Sequence, residues 1–192
     1  MTHKIITLQH WQASTRPSIL KSKRRCIYNL RLDSQNNDRP GPLNGQDFRF
    51  AIVASRWNEA IVSRLIDGAI EALKEAAVPD QAIDVYRVPG SFELPLCALK
   101  AAASKKFDAV ICLGVIIRGE TPHFDFIARE AARGISEAGL KTGVPALFGV
   151  ITAENVDQAR ARAGARQDNK GYEAALAALE VVNLYRHAFG SN

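Results

Sequence analysis

Four short apolar runs recur along this chain, and each leads into a segment with helical periodicity. That alternation constrains the fold more than any other feature of the sequence. Phe50-Ala-Ile-Val-Ala-Ser55 precedes a stripe of Ile61, Leu65, Ile66, Ala69, Ile70 and Leu73 that ends before Pro79. Ala82 to Val88 precedes a helix entered through Pro89-Gly90-Ser91 and running to about Lys105. Ala109 to Val115 precedes a helix from Phe124 towards Gly139. Pro145 to Ile151 precedes a short helix from Asn155 to about Ala163 and a long one from Asn169 to His187. Strands separated by helices cannot pair as hairpins, so they form a parallel sheet with right-handed crossovers and helices on both faces. The expected architecture is α/β: a three-layer α/β/α domain with a four-stranded parallel sheet, flavodoxin-like in arrangement. Such sheets bind ligands at the carboxyl ends of their strands.

The alternation begins only at Phe48. Residues 1–47 show no sustained period and are rich in Arg, Ser, Asn and Gln. They read as a disordered extension, with residues 48–192 as the domain. The formal net charge is +5, and residues 1–47 alone carry eight Lys and Arg against three Asp, a surplus of five. The remainder is neutral, with 17 basic and 17 acidic residues, so a nucleic-acid partner for the domain has no support. The tail is read as a non-functional extension. Its first 32 residues hold no acid, which keeps an organelle transit peptide as a lesser alternative and a polyanion-binding arm as a weaker one. Leu43 to Asp47 are expected to order against a neighbouring subunit. No apolar run approaches the ~20 residues of a membrane span. The three cysteines, Cys26, Cys97 and Cys112, cannot all pair and read as thiols of a reducing compartment, which makes the expected location cytoplasmic.

Several chemistries lack their signatures. No G-x-G-x-x-G follows the first strand, and no G-x-x-x-x-G-K-[ST] or G-x-S-x-G occurs. The four histidines, His3, His10, His123 and His187, have no metal-ligand spacing. What remains lies in the loops that follow the strands. In Leu113-Gly-Val-Ile-Ile-Arg-Gly-Glu-Thr-Pro-His-Phe-Asp-Phe126, a strand runs through a short turn into a helix start, with His123 in the turn. Free N–H groups at a helix start favour an anion, and an imidazole titrates near neutrality. The plainer alternative is a polar loop with a capping residue. Trp57 suits stacking on a flat heterocycle, or simply packing in the core. Glu93 suits ligand hydroxyls, or the first turn of a helix. Arg162 suits a phosphate, or solvent on a helix surface. Asn58 stands where it would cap the first helix. Each signal is weak alone, and their shared position at one sheet edge is what strengthens them.

The order of these motifs resembles the 6,7-dimethyl-8-ribityllumazine synthase family of riboflavin biosynthesis. The matching pieces are Arg56-Trp57-Asn58, Val88-Pro-Gly-Ser-Phe-Glu-Leu-Pro95, Gly114-Val-Ile-Ile-Arg-Gly-Glu-Thr-Pro-His-Phe-Asp125, and Ala161-Arg-Ala-Gly164 with Asn169-Lys-Gly171. They span about Phe48 to Arg186. The resemblance implies a transferase that condenses 5-amino-6-(D-ribitylamino)uracil with 3,4-dihydroxy-2-butanone 4-phosphate, giving 6,7-dimethyl-8-ribityllumazine, phosphate and water. It implies no cofactor and no metal. It puts the pyrimidine against Trp57 and the backbone of Val115, Ile116 and Ile117, and the ribityl chain near Ser91, Phe92 and Glu93. It gives the phosphate to the backbone of Glu120 and Thr121 and to Arg162, proton transfer to His123, and closure of the site to Phe148. It also implies a homo-oligomer, a pentamer that in some relatives builds an icosahedral shell, with Phe148 and Arg162 supplied by the neighbouring subunit.

This sequence departs from the family pattern at three places. Trp57 replaces a commoner Phe and enlarges the stacking face, which would favour a bound flavin. Glu120 replaces a small residue, so only its N–H is expected to serve. Gln167-Asp168 replace a small pair between the last two helices, where the choice between pentamer and shell is influenced. Two other functions compete. A storage protein of the same fold would bind riboflavin without turnover, but gives His123 and Arg162 no purpose. A flavodoxin-like electron carrier would carry a Ser- and Thr-rich phosphate loop after the first strand, and Arg56-Trp57-Asn58 is not one.

Overall fold

The computed structural model describes residues 43–190. The reading of residues 1–42 as an extension, and of Cys26 as a thiol, lies outside them. Four strands, β1 (Phe50–Ser55), β2 (Ile83–Val88), β3 (Ala109–Ile117) and β4 (Ala146–Ala153), form one parallel sheet in the order β2-β1-β3-β4. The helices between and after them are α1 (Glu59–Glu75), α2 (Leu94–Ala103), α3 (His123–Thr142), α4 (Val156–Ala161) and α5 (Lys170–Phe189). The α/β expectation holds.

Strand residues alternate between two cores because successive side chains leave opposite faces of a pleated strand. Phe50, Ile52 and Ala54 of β1 join Ile111, Leu113 and Val115 of β3 under α1 and α5. Ala51, Val53, Val110, Cys112 and Ile116 pack on the other face under α2 and α3. The two central strands are buried on both faces, whereas β2 and β4 are partly exposed at the edges. Each aliphatic side chain taken fully out of water, such as Leu65, Leu94 or Ile135, contributes ~1.5–3 kcal/mol before entropy is counted.

Among the described residues, ordered packing begins a few residues before Phe48. Residues 43–47 pack on this chain's own α1 and α5. The Gly45 N–H donates to Ala76 O at 2.7 Å, Asn183 Nδ2 donates to Asn44 O at 3.2 Å, and Arg186 pairs with Asp47 at 3.1 Å. The Arg186 guanidinium also lies 3.9 Å over the Phe48 ring. Boundaries moved elsewhere too. β3 and β4 each run two residues beyond their expected ends, to Ile117 and Ala153, because they supply each other's ladder: Ile116 aligns with Thr152 and Ile117 with Ala153.

Candidate active site at the carboxyl edge of the sheet

β1 and β3 end at different heights, and the difference creates the site. Their alignment stops at Ala54–Leu113, while β3 continues to Ile117 along β4. Val115 to Ile117 therefore have a strand partner on the β4 side only. The Arg118 N–H still donates to Ala153 O at 2.9 Å on that side. By the two-residue period of a strand, Val115 and Ile117 present their backbone groups towards the end of β1. An overhang of this kind offers main-chain donors and acceptors to a flat, polar-edged molecule.

Asn58 reaches the overhang. It occupies the cap position of α1, but in the left-handed conformation (φ 59°), and its side chain makes no capping bond. Its Nδ2 instead donates to Val115 O at 3.3 Å. The expected cap is thus a cross-strand tether that holds the Arg56-Trp57-Asn58 turn against β3. The neighbouring Trp57 is 67% exposed, far from a core aromatic. Its ring lies over the backbone of Gly90, where a Cβ would stand 3.0 Å from Trp57 Cε3 and 3.1 Å from Glu93 Oε2. A side chain there would press on the indole and the carboxylate, so glycine suits that close approach. Glu93 accepts from the Gly90 N–H at 2.8 Å, so its carboxylate is fixed beside the indole at the entry to α2. Phe92 is exposed and Ser91 buried. The Ser91 hydroxyl fills the space a Cβ at Gly114 would take, at 2.6 Å, and the hydroxyls of Ser91 and Ser55 lack a protein hydrogen-bond partner. The loop after β2 is thereby keyed into β3 immediately before the overhang.

Glu120 and Thr121 lie exposed in the turn that follows β3. Pro122 occupies the cap position of α3, and His123 is the first helical residue, exposed. No side chain caps this helix, so its first N–H groups suit an anion. Arg118 braces the turn. Its Nη1 and Nη2 donate to the two Asp125 oxygens, each at 3.1 Å, its Nε lies 2.8 Å from a Glu154 oxygen, and its Cζ is 4.1 Å from the Phe124 ring centroid. The guanidinium holds the Asp125 carboxyl below its ordinary range, and the two carboxylates push the Arg118 pKa up.

Two of the candidates lie elsewhere. Phe148 is the third residue of edge strand β4, level with Cys112 and not with the overhang, and is partly exposed. Arg162 follows α4 and lines an open cleft of about 550 Å³ with Thr152, Gln158 and Lys170 on the β4 flank. Glu173 stands between the two cations there, 3.6 Å from Arg162 and 2.9 Å from Lys170. One chain thus gathers Trp57, Ser91 to Glu93, Val115 to Ile117 and Glu120 to His123 on the ends of β1, β2 and β3. It carries Phe148 and Arg162 along β4. Lys170 belongs to the Asn169-Lys-Gly171 motif, but its spacing of eight residues from Arg162 across a turn is no local signal of a shared cleft.

Cys112 is buried and its thiol is pushed up, first by burial and then by Cys97, which removes it from nucleophilic chemistry. Among the described residues no group of three or more His, Cys, Asp or Glu is placed to hold a metal ion, and no helix is long and apolar enough to cross a membrane.

Comparison with known proteins covers the whole of this arrangement. The family described as 6,7-dimethyl-8-ribityllumazine synthase matches residues 47–186. A protein of that name from Chlorobium luteolum is 53% identical over 147 residues, 77% of this chain and 95% of the relative. Its namesake from Syntrophus aciditrophicus is 51% identical over 146 residues, 76% of this chain and 95% of the relative. A third, from Clostridium kluyveri, is 47% identical over 146 residues with the same two shares of coverage.

Proposed function

The chain belongs to the 6,7-dimethyl-8-ribityllumazine synthase family, and from that premise we propose how its own residues carry out the synthase reaction. The reaction joins 5-amino-6-(D-ribitylamino)uracil to 3,4-dihydroxy-2-butanone 4-phosphate and releases 6,7-dimethyl-8-ribityllumazine, phosphate and water. The observation that carries the reading is the β3 overhang. It is a stretch of backbone with a strand partner on the β4 side only, with an exposed indole on one side and an uncapped helix start on the other.

In this reading the pyrimidine lies on Trp57, with its polar edge on the backbone of Val115, Ile116 and Ile117. Ser91, Phe92 and Glu93 take the ribityl chain, and the fixed Glu93 carboxylate accepts from its hydroxyls. The phosphate of the ketone rests on the N–H groups of Glu120 and Thr121. The 5-amino group attacks the ketone carbon and water leaves as the imine forms. Loss of a C3 proton and of phosphate from C4 leaves an enol that tautomerises to a new ketone at C3, and the ribityl-bearing nitrogen closes the ring on that carbonyl with loss of a second water. His123, at the first position of α3, takes and returns protons in these steps, a role that typically contributes ~10²–10⁴-fold. Both reactants are intrinsically reactive, so alignment contributes at least as much.

Phe148 and Arg162 complete the site from an adjacent copy, with Arg162 closing on the phosphate. Their position along the free β4 flank supports an interface of this kind. The assembly we propose is a pentamer, with closure into an icosahedral shell governed at the Gln167-Asp168 turn. The test is direct: purified protein is mixed with the two substrates and lumazine absorbance is followed. A rate well above the buffer background is expected, and none would overturn the reading.

A further inference from the structure

The phosphate half of the proposed site contains a charge problem. The turn offers N–H groups to a dianion, yet two carboxylates stand beside it. Asp125 is in the first turn of α3, where its N–H bonds back to Pro122 O at 3.0 Å. Glu154 follows directly on β4. A carboxylate in the first turn is itself stabilised by the helix dipole and competes with an external anion for the same field. Both carboxylates are hydrogen-bonded to Arg118, whose fork is spent on Asp125 and whose Nε is spent on Glu154, while Arg129, one turn further along α3, acts on Asp125 through its charge alone. The cluster of one guanidinium and two carboxylates has a net charge of −1. Arg118 is 36% exposed and the carboxylates more so, so water softens these interactions without removing them.

We propose that Arg118, which is outside the set of residues assigned to the substrates, is a positioning residue that sets the charge at the mouth of the phosphate-binding turn. It masks Asp125 and Glu154 and ties the His123 end of α3 to the end of β4. The proposal rests on the reading that this turn accepts phosphate. It differs from the simpler idea that Arg118 binds the phosphate itself, since each of its three nitrogens donates to a carboxylate and its face is stacked on Phe124.

The proposal predicts an order of affinities. Substitution changes the cluster charge in unit steps: +1 in D125N/E154Q, 0 in R118M/D125N/E154Q, −1 in the unaltered protein and −2 in R118M. Inorganic phosphate, titrated calorimetrically into each full-length protein at low salt, is expected to weaken in that order, by about 3- to 10-fold per step, and the spread should shrink at high salt. A purely structural Arg118 would make R118M and the triple variant equally poor. A phosphate ligand would make both variants lacking Arg118 weaker than the parent. Either pattern, a parent that does not bind phosphate, or four equal affinities would overturn the proposal. If R118M does not fold, the other two variants decide the matter: D125N/E154Q and R118M/D125N/E154Q must both bind more tightly than the parent, whereas loss of a phosphate ligand would leave the triple variant weaker. Turnover of the unaltered protein is measured separately. Its absence alongside the predicted phosphate order would sink the synthase reading and leave the charge mask standing.

Discussion

The carboxyl edge of the sheet and the β4 flank carry the two halves of the site, and they are built differently. At the edge, side chains are committed to one another within the chain. Glu93 is held by the Gly90 N–H, Asn58 by Val115 O, Ser91 is keyed against Gly114, and Arg118 is clamped between two carboxylates. On the flank, Phe148 and Arg162 lie along an edge strand and an open cleft. Among the described residues neither makes a hydrogen bond or an ion pair with the edge cluster. The edge is organised to hold a ligand in place; the flank is organised to meet a second surface. Chemistry should therefore fail when the edge is altered, and affinity or assembly should fail when the flank is altered.

The sharpest way to break that contrast is His123→Ala. It should lower kcat by ~10²- to 10⁴-fold while leaving some turnover, since proton transfer is lost and alignment is kept. Steady-state kinetics on both substrates checks it, and a variant as fast as the parent would remove His123 from the chemistry. Arg162→Ala comes next. Loss of a charge-assisted contact of ~1.5–3 kcal/mol should raise KM for the phosphorylated ketone by roughly 10- to 100-fold, with kcat much less affected. Unchanged kinetics would leave Arg162 with no part in the site.

Most of the edge was legible in the sequence because its signals are local. A run of apolar residues, a turn and a helical period placed the Trp57, Ser91 and His123 loops on the same sheet end, since a parallel sheet leaves no other choice. What could not be read involved partners distant in sequence. Asn58 has the residue type of a helix cap, but Val115 O, 57 positions away, takes its amide. Arg118 and Glu154 are 36 positions apart, and nothing in the spacing foretells their pairing. The length of β3 depended on β4, and the lie of residues 43–47 on α1 and α5 depended on packing across the whole domain. Phe148 reads like any apolar residue of an inner strand, and only the strand order puts it at an edge.

A smaller effect tests whether the two halves belong to different copies. Chains carrying His123→Ala and chains carrying Arg162→Ala are coexpressed and purified as mixed oligomers. If each site takes its edge from one chain and its flank from the next, about a quarter of randomly assembled sites regain both intact halves. At low ketone phosphate concentration, turnover should then exceed the average of the two parental variants. If one chain supplied both halves, every site would carry one lesion and the mixture would give only the average.

The smallest effect concerns acid. Arg118 lowers the Asp125 carboxyl below its ordinary range, and Arg87, followed by Ser63, does the same to Glu59. A carboxyl lowered in the folded state binds its proton more readily when unfolded. Its contribution is therefore present in full above the unfolded carboxylate pKa of about 4 and is lost as pH falls through the lower, folded value. These groups are exposed, so the loss should be slight and salt-dependent. The hydrogen-exchange protection factor of the Asp125 amide, which bonds to Pro122 O, should stay constant from neutrality to about pH 5 and fall below it. In D125N/E154Q the acid-induced fall should be absent. An equal fall in that variant would mean that the acid response of the edge does not run through the Arg118 clamp.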